Sequence, residues 1–340
     1  MDKFRVAVVG ALGAVGTEMT KTLEKRKFPV SEFIPMDIES MAGKKVTFRG
    51  KEATVRAAKA GAFKDVDIAL FSAGTEASLA LAPVAVKEGA IVIDNSAAWR
   101  MDPGIPLVIP EVNPQALDGH KGIIANPNCS TIQMLVAAKP IHDVYKIKRI
   151  VVSTYQAVSG TGAPAIAELK SQAKQYSEGK PIEVKVYPRQ IFFNLIPHID
   201  DFLDNDYTKE EMKMVHETHK ILDPAISVSP TAVRVGVIRG HSESVNIETE
   251  KPFKVEEVVE LLRKAPGILV MDDPAKLVYP TPLDCDGRYE TFVGRIRRDT
   301  TVPNGLNIWV VSDNLLKGAA LNAVQIAETL VAKGLRARKV

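Results

Sequence analysis

Four groups of residues in this chain have the types and spacing of reactive or charge-binding sites. The first is Gly122–Met134, reading GIIANPNCSTIQM. A short apolar strand (Ile123, Ile124, Ala125) leads through the turn Asn126-Pro127-Asn128 to a cysteine that opens a helix. Asn128 is an N-cap type, and Ser130 and Thr131 fall in the first turn. Unpaired backbone N–H groups and the positive end of the helix dipole converge there. They favour thiolate, the nucleophilic form, at Cys129. A buried packing cysteine is the competing reading of the same local sequence. The second group is Arg234 and His241, flanking Gly236 and Gly240, where the chain can bend and bring the two side chains together. The third is Glu210 and Lys213, three apart on one helix face, either a surface ion pair or two groups pointing at one ligand. The fourth is Gln156, ending a strand before the flexible turn Ala157-Val158-Ser159-Gly160-Thr161-Gly162. His120, His142, His198, His216 and His219 read as surface or core residues; His216 and His219 are three apart, but no third ligand is apparent, so no metal is predicted.

These groups need a scaffold, and the first half of the chain supplies one. Phe4–Val9 is a continuous apolar strand of the kind buried on both faces of a parallel sheet. It runs into Gly10-Ala11-Leu12-Gly13-Ala14-Val15-Gly16 and a helix reaching about Lys25. Strand, glycine turn and helix together make a dinucleotide-binding arrangement, here spaced G-x-x-G-x-x-G. Strands are predicted at Phe33–Asp37, Asp67–Phe71, Ala90–Ile93, Leu107–Ile109 and Ile123–Ala125, with a helix from Thr75 to about Glu88. Small polar residues close these strands, among them Ser72 and Gly74, where a doubly wound sheet forms its crevice. The last strand delivers Cys129 to that edge, which favours the reactive reading.

From Ile147 the pattern changes. Long strands at Ile147–Gln156, Ala232–Ile238, Ser242–Thr249, Glu290–Arg298 and Leu306–Ser312 predict a largely antiparallel sheet, suited to oligomerisation. Helices are predicted over about Pro164–Tyr176 and over Thr208–Leu222, the latter opened by a Thr208/Glu211 capping box. A closing helix over about Leu315–Ala332 has an apolar stripe that returns to the first domain. The predicted fold class is α/β: a Rossmann-type doubly wound parallel sheet plus an α+β catalytic and dimerisation domain. The predicted boundaries are 1–130, joined by a C-terminal helix over 315–340, and 131–314.

Composition excludes several classes. At 340 residues, 46% hydrophobic and 25% charged, the chain has the usual globular balance and room for two domains. A net charge of +3, without basic blocks, argues against nucleic acid; the basic tail Lys333–Lys339 reads as a solvated terminus. Two distant cysteines, Cys129 and Cys285, make neither a disulfide framework nor a metal cluster. The start Met1-Asp2-Lys3 runs directly into a strand, and no apolar run reaches about 18 residues. No membrane partner is therefore predicted, and a cytoplasmic setting is the expectation.

The ordered set of motifs is more specific than any one of them. Gly10–Gly16, Ala98-Trp99-Arg100, Asn126-Pro127-Asn128-Cys129-Ser130-Thr131, Gln156 before Ser159-Gly160-Thr161-Gly162, Glu210-Glu211-Met212-Lys213, and Arg234 through Gly240-His241-Ser242-Glu243-Ser244 occur in that order. Together, over essentially the whole chain, they resemble the bacterial aspartate-β-semialdehyde dehydrogenase family. The resemblance implies NADP-dependent reduction of L-aspartyl 4-phosphate to L-aspartate 4-semialdehyde with release of phosphate. That step leads to lysine, methionine, threonine and isoleucine. It implies Cys129 as a nucleophile forming a thioacyl-enzyme, and His241 as general acid/base with an imidazole pKa near neutrality. It implies Gln156 positioning the acyl group, Arg234 gripping the α-carboxylate, Glu210 meeting the α-amino group, and Arg100 and Lys213 holding phosphate. Cofactor contacts fall to Gly10, Gly13, Ala14, Val15 and Gly16, to Asp37, Ser40, Met41, Ser72 and Gly74, and to Ser159, Gly160 and Asn314. A homodimer or homotetramer is implied.

One stretch departs from the family pattern. Where a motif like S-A-R-S-A-G-K binds the 2′-phosphate of NADP, this chain has Ile38-Glu39-Ser40-Met41-Ala42-Gly43-Lys44 after Asp37. Ser40 stands at the arginine position, and Asp37 or Glu39 would bond a ribose hydroxyl and repel a phosphate. The expectation is a weakened NADP preference and use of NAD, with Lys44 and Lys45 as the residues that could restore phosphate binding. Two alternatives accompany the family reading: N-acetyl-glutamyl-phosphate reductase, and a non-catalytic paralogue.

Overall fold

The computed structural model describes residues 3–335, so Met1, Asp2 and residues 336–340 of the predicted closing span and basic tail lie outside the described residues. Contacts divide the chain into two units, one made of the residues before Cys129 together with those after Gly318, the other of Cys129–Gly318.

In the first unit, uninterrupted apolar segments become inner strands. β1 (Phe4–Val9) is buried apart from partly exposed Arg5. It is followed by α1 (Ala14–Lys25), β2 (Val30–Asp37), the hairpin β3 (Lys45–Phe48) and β4 (Lys51–Thr54), β5 (Arg56–Ala57), β6 (Ile68–Phe71), α2 (Thr75–Lys87), β7 (Ile91–Asp94) and β8 (Ile123–Ala125). The main sheet runs β5-β2-β1-β6-β7-β8 with every pair parallel. Strand order reverses at β1, which sets the topological switch point beyond the carboxyl ends of β1 and β6. The closing helix (Leu321–Ala332) buries Val324, Ala327 and Leu330 in one cluster with Phe4, Val6, Val8, Met19 and Leu23.

The second unit begins with α3 (Cys129–Tyr145) and β9 (Ile147–Ala157). There follow α4 (Ala163–Ser177), β10 (Leu195–Ile196), α5 (Lys209–Ile221), β11 (Ser227–Val235), β12 (His241–Thr249), α6 (Val255–Lys264), β13 (Ile268–Val270), α7 (Pro282–Cys285), β14 (Thr291–Asp299) and β15 (Gly305–Ser312). They form one sheet in the order β10-β11-β9-β12-β15-β14-β13. It is mainly antiparallel, with parallel pairs at β11/β9 and β13/β14. From Glu243 onward β12 alternates: Glu243, Val245 and Ile247 are buried while Ser244, Asn246 and Glu248 face the more open side, and at the start of the strand His241 and Ser242 are both buried. α3 packs on β12, β9 and β15.

Three elements differ from the sequence expectation. Leu107–Ile109 is not a strand. It makes one parallel bridge, Leu107 with Ala125, because Pro106 and Pro110 flank it and the Ile109 N–H goes to Asn113 Oδ1 instead. The strand expected over Ala232–Ile238 runs Ser227–Val235, its later part ending in a tight turn where the Val237 N–H bonds the Val235 carbonyl. The closing helix does not start evenly at Leu315. Leu316–Ala320 is a π turn, with the Gly318 N–H reaching the Asp313 carbonyl. Among the described residues no helix is long and apolar enough to cross a membrane, and no group of three or more His, Cys, Asp or Glu could hold a metal.

Candidate active site

α3 opens at Cys129, which is half-buried. Two contacts fix its surroundings. A methyl built on Gly318 would stand 2.8 Å from Cys129 Cβ, so the π turn lays bare backbone against the cysteine. Gln133, one turn further along the same helix face, donates Nε2 to the His241 carbonyl oxygen at 3.4 Å. The helix bearing the sulfur and the strand bearing the imidazole are thus joined directly.

His241 is 0% exposed. Its Nδ1 accepts the Ala157 N–H at 3.0 Å, which places the proton of the neutral ring on Nε2. Nε2 is buried and has no hydrogen-bond partner among the described residues. The Ala157 carbonyl oxygen accepts Arg234 Nη1 at 2.7 Å, so the backbone N–H and C=O of one residue orient both side chains. Gly160 completes the arrangement. A methyl there would lie 3.1 Å from Arg234 Nη1 and 3.5 Å from His241 Nε2. Burial, then the Arg234 charge, push the His241 pKa down to about 3. The expected pKa near neutrality is therefore not what the chain's own groups produce.

Gly240 lies at φ +92°, and a side chain there would meet Cys285 Sγ at 2.8 Å, so the bend before His241 requires glycine. Asn314 Oδ1 accepts the Gly240 N–H at 3.0 Å, and Asn314 Nδ2 donates to Ser159 Oγ at 2.9 Å. Asp313, fully buried, anchors that segment by accepting the Leu315 N–H at 3.0 Å and Arg239 Nε at 2.7 Å.

The Glu210/Lys213 pair forms as the spacing suggested, with Lys213 Nζ 3.0 Å from Glu210 Oε2 and 2.7 Å from Asp200 Oδ2. Burial alone would lower the Lys213 pKa, yet the two carboxylates hold it above its ordinary value. Gln156 Nε2 donates to Glu210 Oε1 at 3.0 Å, and its Oε1 accepts Thr154 Oγ1 at 3.0 Å. Gln156, Glu210 and Lys213 therefore form one buried-to-surface chain. Cys285 is a contrast to Cys129. It packs with Phe292 and Val311, donates to the Pro282 carbonyl, and has its pKa pushed up to about 12 by burial.

The nucleotide-type features lie in the first unit. Gly10 sits at φ +82°, and a methyl on it would stand 2.4 Å from the Ser72 carbonyl oxygen across the switch point. A methyl on Gly16 would stand 2.1 Å from the Gly10 carbonyl oxygen. α1 carries no side-chain cap at Gly13 and no acidic residue in its first turn, leaving its positive end unopposed at Ala14, Val15 and Gly16. A pyrophosphate fits that environment. Asp37, ending β2, accepts the Leu12 N–H at 3.1 Å and the Ile38 N–H at 2.9 Å, so it also shapes the glycine turn. Glu39 pairs with Lys59 at 3.4 Å; Ser40 is exposed and Met41 half-buried beside it. Gly74, at φ +83°, precedes α2. Arg100 is buried, donating Nε to the Asn126 carbonyl at 3.0 Å and Nη2 to the Asn95 carbonyl at 2.8 Å.

Sequence reasoning missed Gln133, Gly318, Asp313 and Glu243. A signal existed for two of them: Gln133 is four residues after Cys129, and Glu243 is two after His241.

Comparison with known proteins gives a consistent picture. A family model for the semialdehyde dehydrogenase NAD binding domain matches residues 5–120, and one for the semialdehyde dehydrogenase dimerisation domain matches residues 138–317. The aspartate-semialdehyde dehydrogenase of Aquifex aeolicus is 56% identical over 337 residues, covering 98% of this chain and 99% of that protein. That of Bacillus subtilis is 53% identical, covering 96% of each. Among solved structures, Vibrio cholerae aspartate semialdehyde dehydrogenase II complexed with ASA matches with a TM-score of 0.96 and 48% identity, over 98% of this chain and 100% of that one. The Candida albicans enzyme with NADP matches with a TM-score of 0.76 and 26% identity, over 97% and 99%.

Proposed function

The chain belongs to the aspartate-semialdehyde dehydrogenase family, and from that premise we propose how its residues divide the work. The reaction is the reversible, nicotinamide-dependent reductive dephosphorylation of L-aspartyl 4-phosphate to L-aspartate 4-semialdehyde and phosphate. The observation that carries the assignment of roles is the Cys129–Gln133–His241 linkage, which ties a helix-opening sulfur to an imidazole aimed inward.

Cys129 thiolate attacks the acyl carbon. A C–S bond forms, the bond to the phosphate oxygen breaks, and phosphate leaves with its electron pair. Arg234 pairs with the α-carboxylate, and its unpartnered Nε is a second donor for that purpose. Glu210, held by Gln156 and Lys213, receives the α-ammonium. Lys213 and Arg100 are assigned the phosphate, and Gln156 the acyl group. The turn of Gly10, Gly13 and Gly16 would hold the pyrophosphate of a nicotinamide cofactor, which when bound would supply the hydride that takes the thioester to the aldehyde level. His241 donates its Nε2–H as a hydrogen bond to the acyl oxygen, where negative charge gathers, and the tetrahedral adduct formed after hydride addition collapses to aldehyde and thiolate with that proton still on the ring. Burial is the larger cause of the low His241 pKa and Arg234 the second; pairing of Arg234 with a carboxylate offsets that second cause, so the imidazole recovers part of its basicity as substrate binds.

For the cofactor, Asp37 and Glu39 place two carboxylates after β2, and exposed Ser40 offers no charge to a 2′-phosphate. The reading is a weakened NADP preference with NAD accepted. For assembly, the reading is a homodimer through the second unit. Tyr176, Phe192 and Phe193 cluster there with ring centroids 4.1–5.5 Å apart, yet Phe193 is 75% exposed.

Phosphate-dependent oxidation of aspartate semialdehyde, run with NAD and NADP in parallel, tests the scheme. Wild type should reduce both cofactors, and Cys129→Ser should lose at least about 1,000-fold in kcat. Undiminished turnover by Cys129→Ser would remove the covalent mechanism, and a strong NADP preference would remove the cofactor reading.

A further inference from the structure

Glu243 is 0% exposed and has no part in the scheme above. It follows His241 by two residues on β12, so both side chains leave the strand on the face that α3 covers. Its register partners are Thr154 on β9 and Val310 on β15. Its polar neighbours are Ser130 and Gln133, one and four residues after Cys129 on α3. No charged side chain acts on it: Lys139, His142, Asp143 and Tyr145 of α3 and Glu248 of β12 contribute nothing to its electrostatics, and His241 and Cys129 are the titratable groups closest to it along those two elements.

Among the described residues neither carboxyl oxygen of Glu243 has a partner in full hydrogen-bond geometry, nor does Gln133 Oε1, although the Ser130 and Gln133 side chains lie close enough to act on the carboxyl. Gln133 Nε2 is already committed to the His241 carbonyl. A carboxylate there would have only the neutral Ser130 hydroxyl and Gln133 amide to set against the loss of water, and burial outweighs them. A carboxylic acid supplies the missing O–H, with Gln133 Oε1 as its acceptor. Burial drives the group the same way, raising its pKa well above the ordinary carboxylate value.

We propose that Glu243 is a positioning residue that works as a neutral carboxylic acid: its O–H ties β12 to the first turns of α3 through Gln133, holding Cys129 in register with His241. Neutrality has its own consequence. An anion beneath the first turn would oppose the positive end of α3 and disfavour thiolate at Cys129. The inference rests on reading Cys129 as the nucleophile.

Glu243→Gln replaces the acid O–H with an amide N–H and adds no charge, whereas Glu243→Ala removes the tie. The Gln variant should keep at least about a tenth of wild-type kcat, with KM for aspartate semialdehyde unchanged. It should also keep the pH profile of Cys129 alkylation by iodoacetamide. The Ala variant should fall at least about 10-fold below the Gln variant. The infrared difference between wild type and Glu243→Gln at neutral pH should show the carbonyl stretch of a protonated carboxylic acid. Carboxylate bands in its place would overturn the proposal. So would a folded Gln variant with kcat below about a tenth of wild type, the result expected of a lost ionised base. The infrared measurement needs no turnover, so it stands apart from the Cys129→Ser test of the reaction scheme.

Discussion

His241 gives a quantitative test of the site through stability. Its ordinary pKa is 6.5, and burial beside Arg234 brings it down to about 3 in the folded chain. Below about pH 6.5 the unfolded chain takes up a proton on this imidazole while the native chain does not. Unfolding is therefore favoured progressively as pH falls, until the native ring itself protonates near pH 3. At about 1.4 kcal/mol per unit, the cost between pH 7.5 and pH 5.0 is roughly 2 kcal/mol. Glu243 acts with the opposite sign. Its native carboxyl keeps a proton that the unfolded chain releases above about 4.5, so the wild-type slope alone understates His241. The comparison with His241→Asn isolates it, because Asn Oδ1 can still accept the Ala157 N–H and carries no charge at either pH. Urea unfolding at pH 7.5 and 5.0, at fixed protein concentration, should show wild type losing about 2 kcal/mol more than the variant. Equal losses in the two proteins would mean that His241 titrates normally when folded, and the account of its burial would be wrong.

Other expectations follow from single contacts. Gly318→Ala would drive a methyl to 2.8 Å from Cys129 Cβ, so kcat should fall at least about 10-fold despite the better helix propensity of alanine. Iodoacetamide at neutral pH should label one cysteine per chain in the native protein: mass spectrometry of peptides should find Cys129 modified and Cys285, buried with a pKa near 12, unmodified. Phe193→Asp places a charge on the exposed aromatic cluster of the second unit, and light scattering should show the dimer shifting to monomer; an unchanged mass would exclude that surface as the interface.

Much of this protein is legible from local sequence. Phe4–Val9 declares a buried parallel strand by its unbroken apolar run, Gly10 and Gly16 mark a turn with no room for side chains, and Thr208 and Glu211 form the capping box that their spacing requires. These features depend on neighbours within a few residues, so the sequence states them directly. Residues 107–109 look equally apolar yet fail to form a strand, because Pro106, Pro110 and the Asn113 side chain end the ladder after one bridge. The Cys129 and His241 motifs were visible too, but not their electrostatic state. The tautomer of His241 is set by the Ala157 N–H 84 positions away, its pKa by burial and Arg234, and the protonation of Glu243 by burial that outweighs Ser130 and Gln133 on another element. Residue type and spacing determined which groups could react. Desolvation and long-range hydrogen bonding decided which of them carry charge, because the energy of a buried proton depends on everything packed around it.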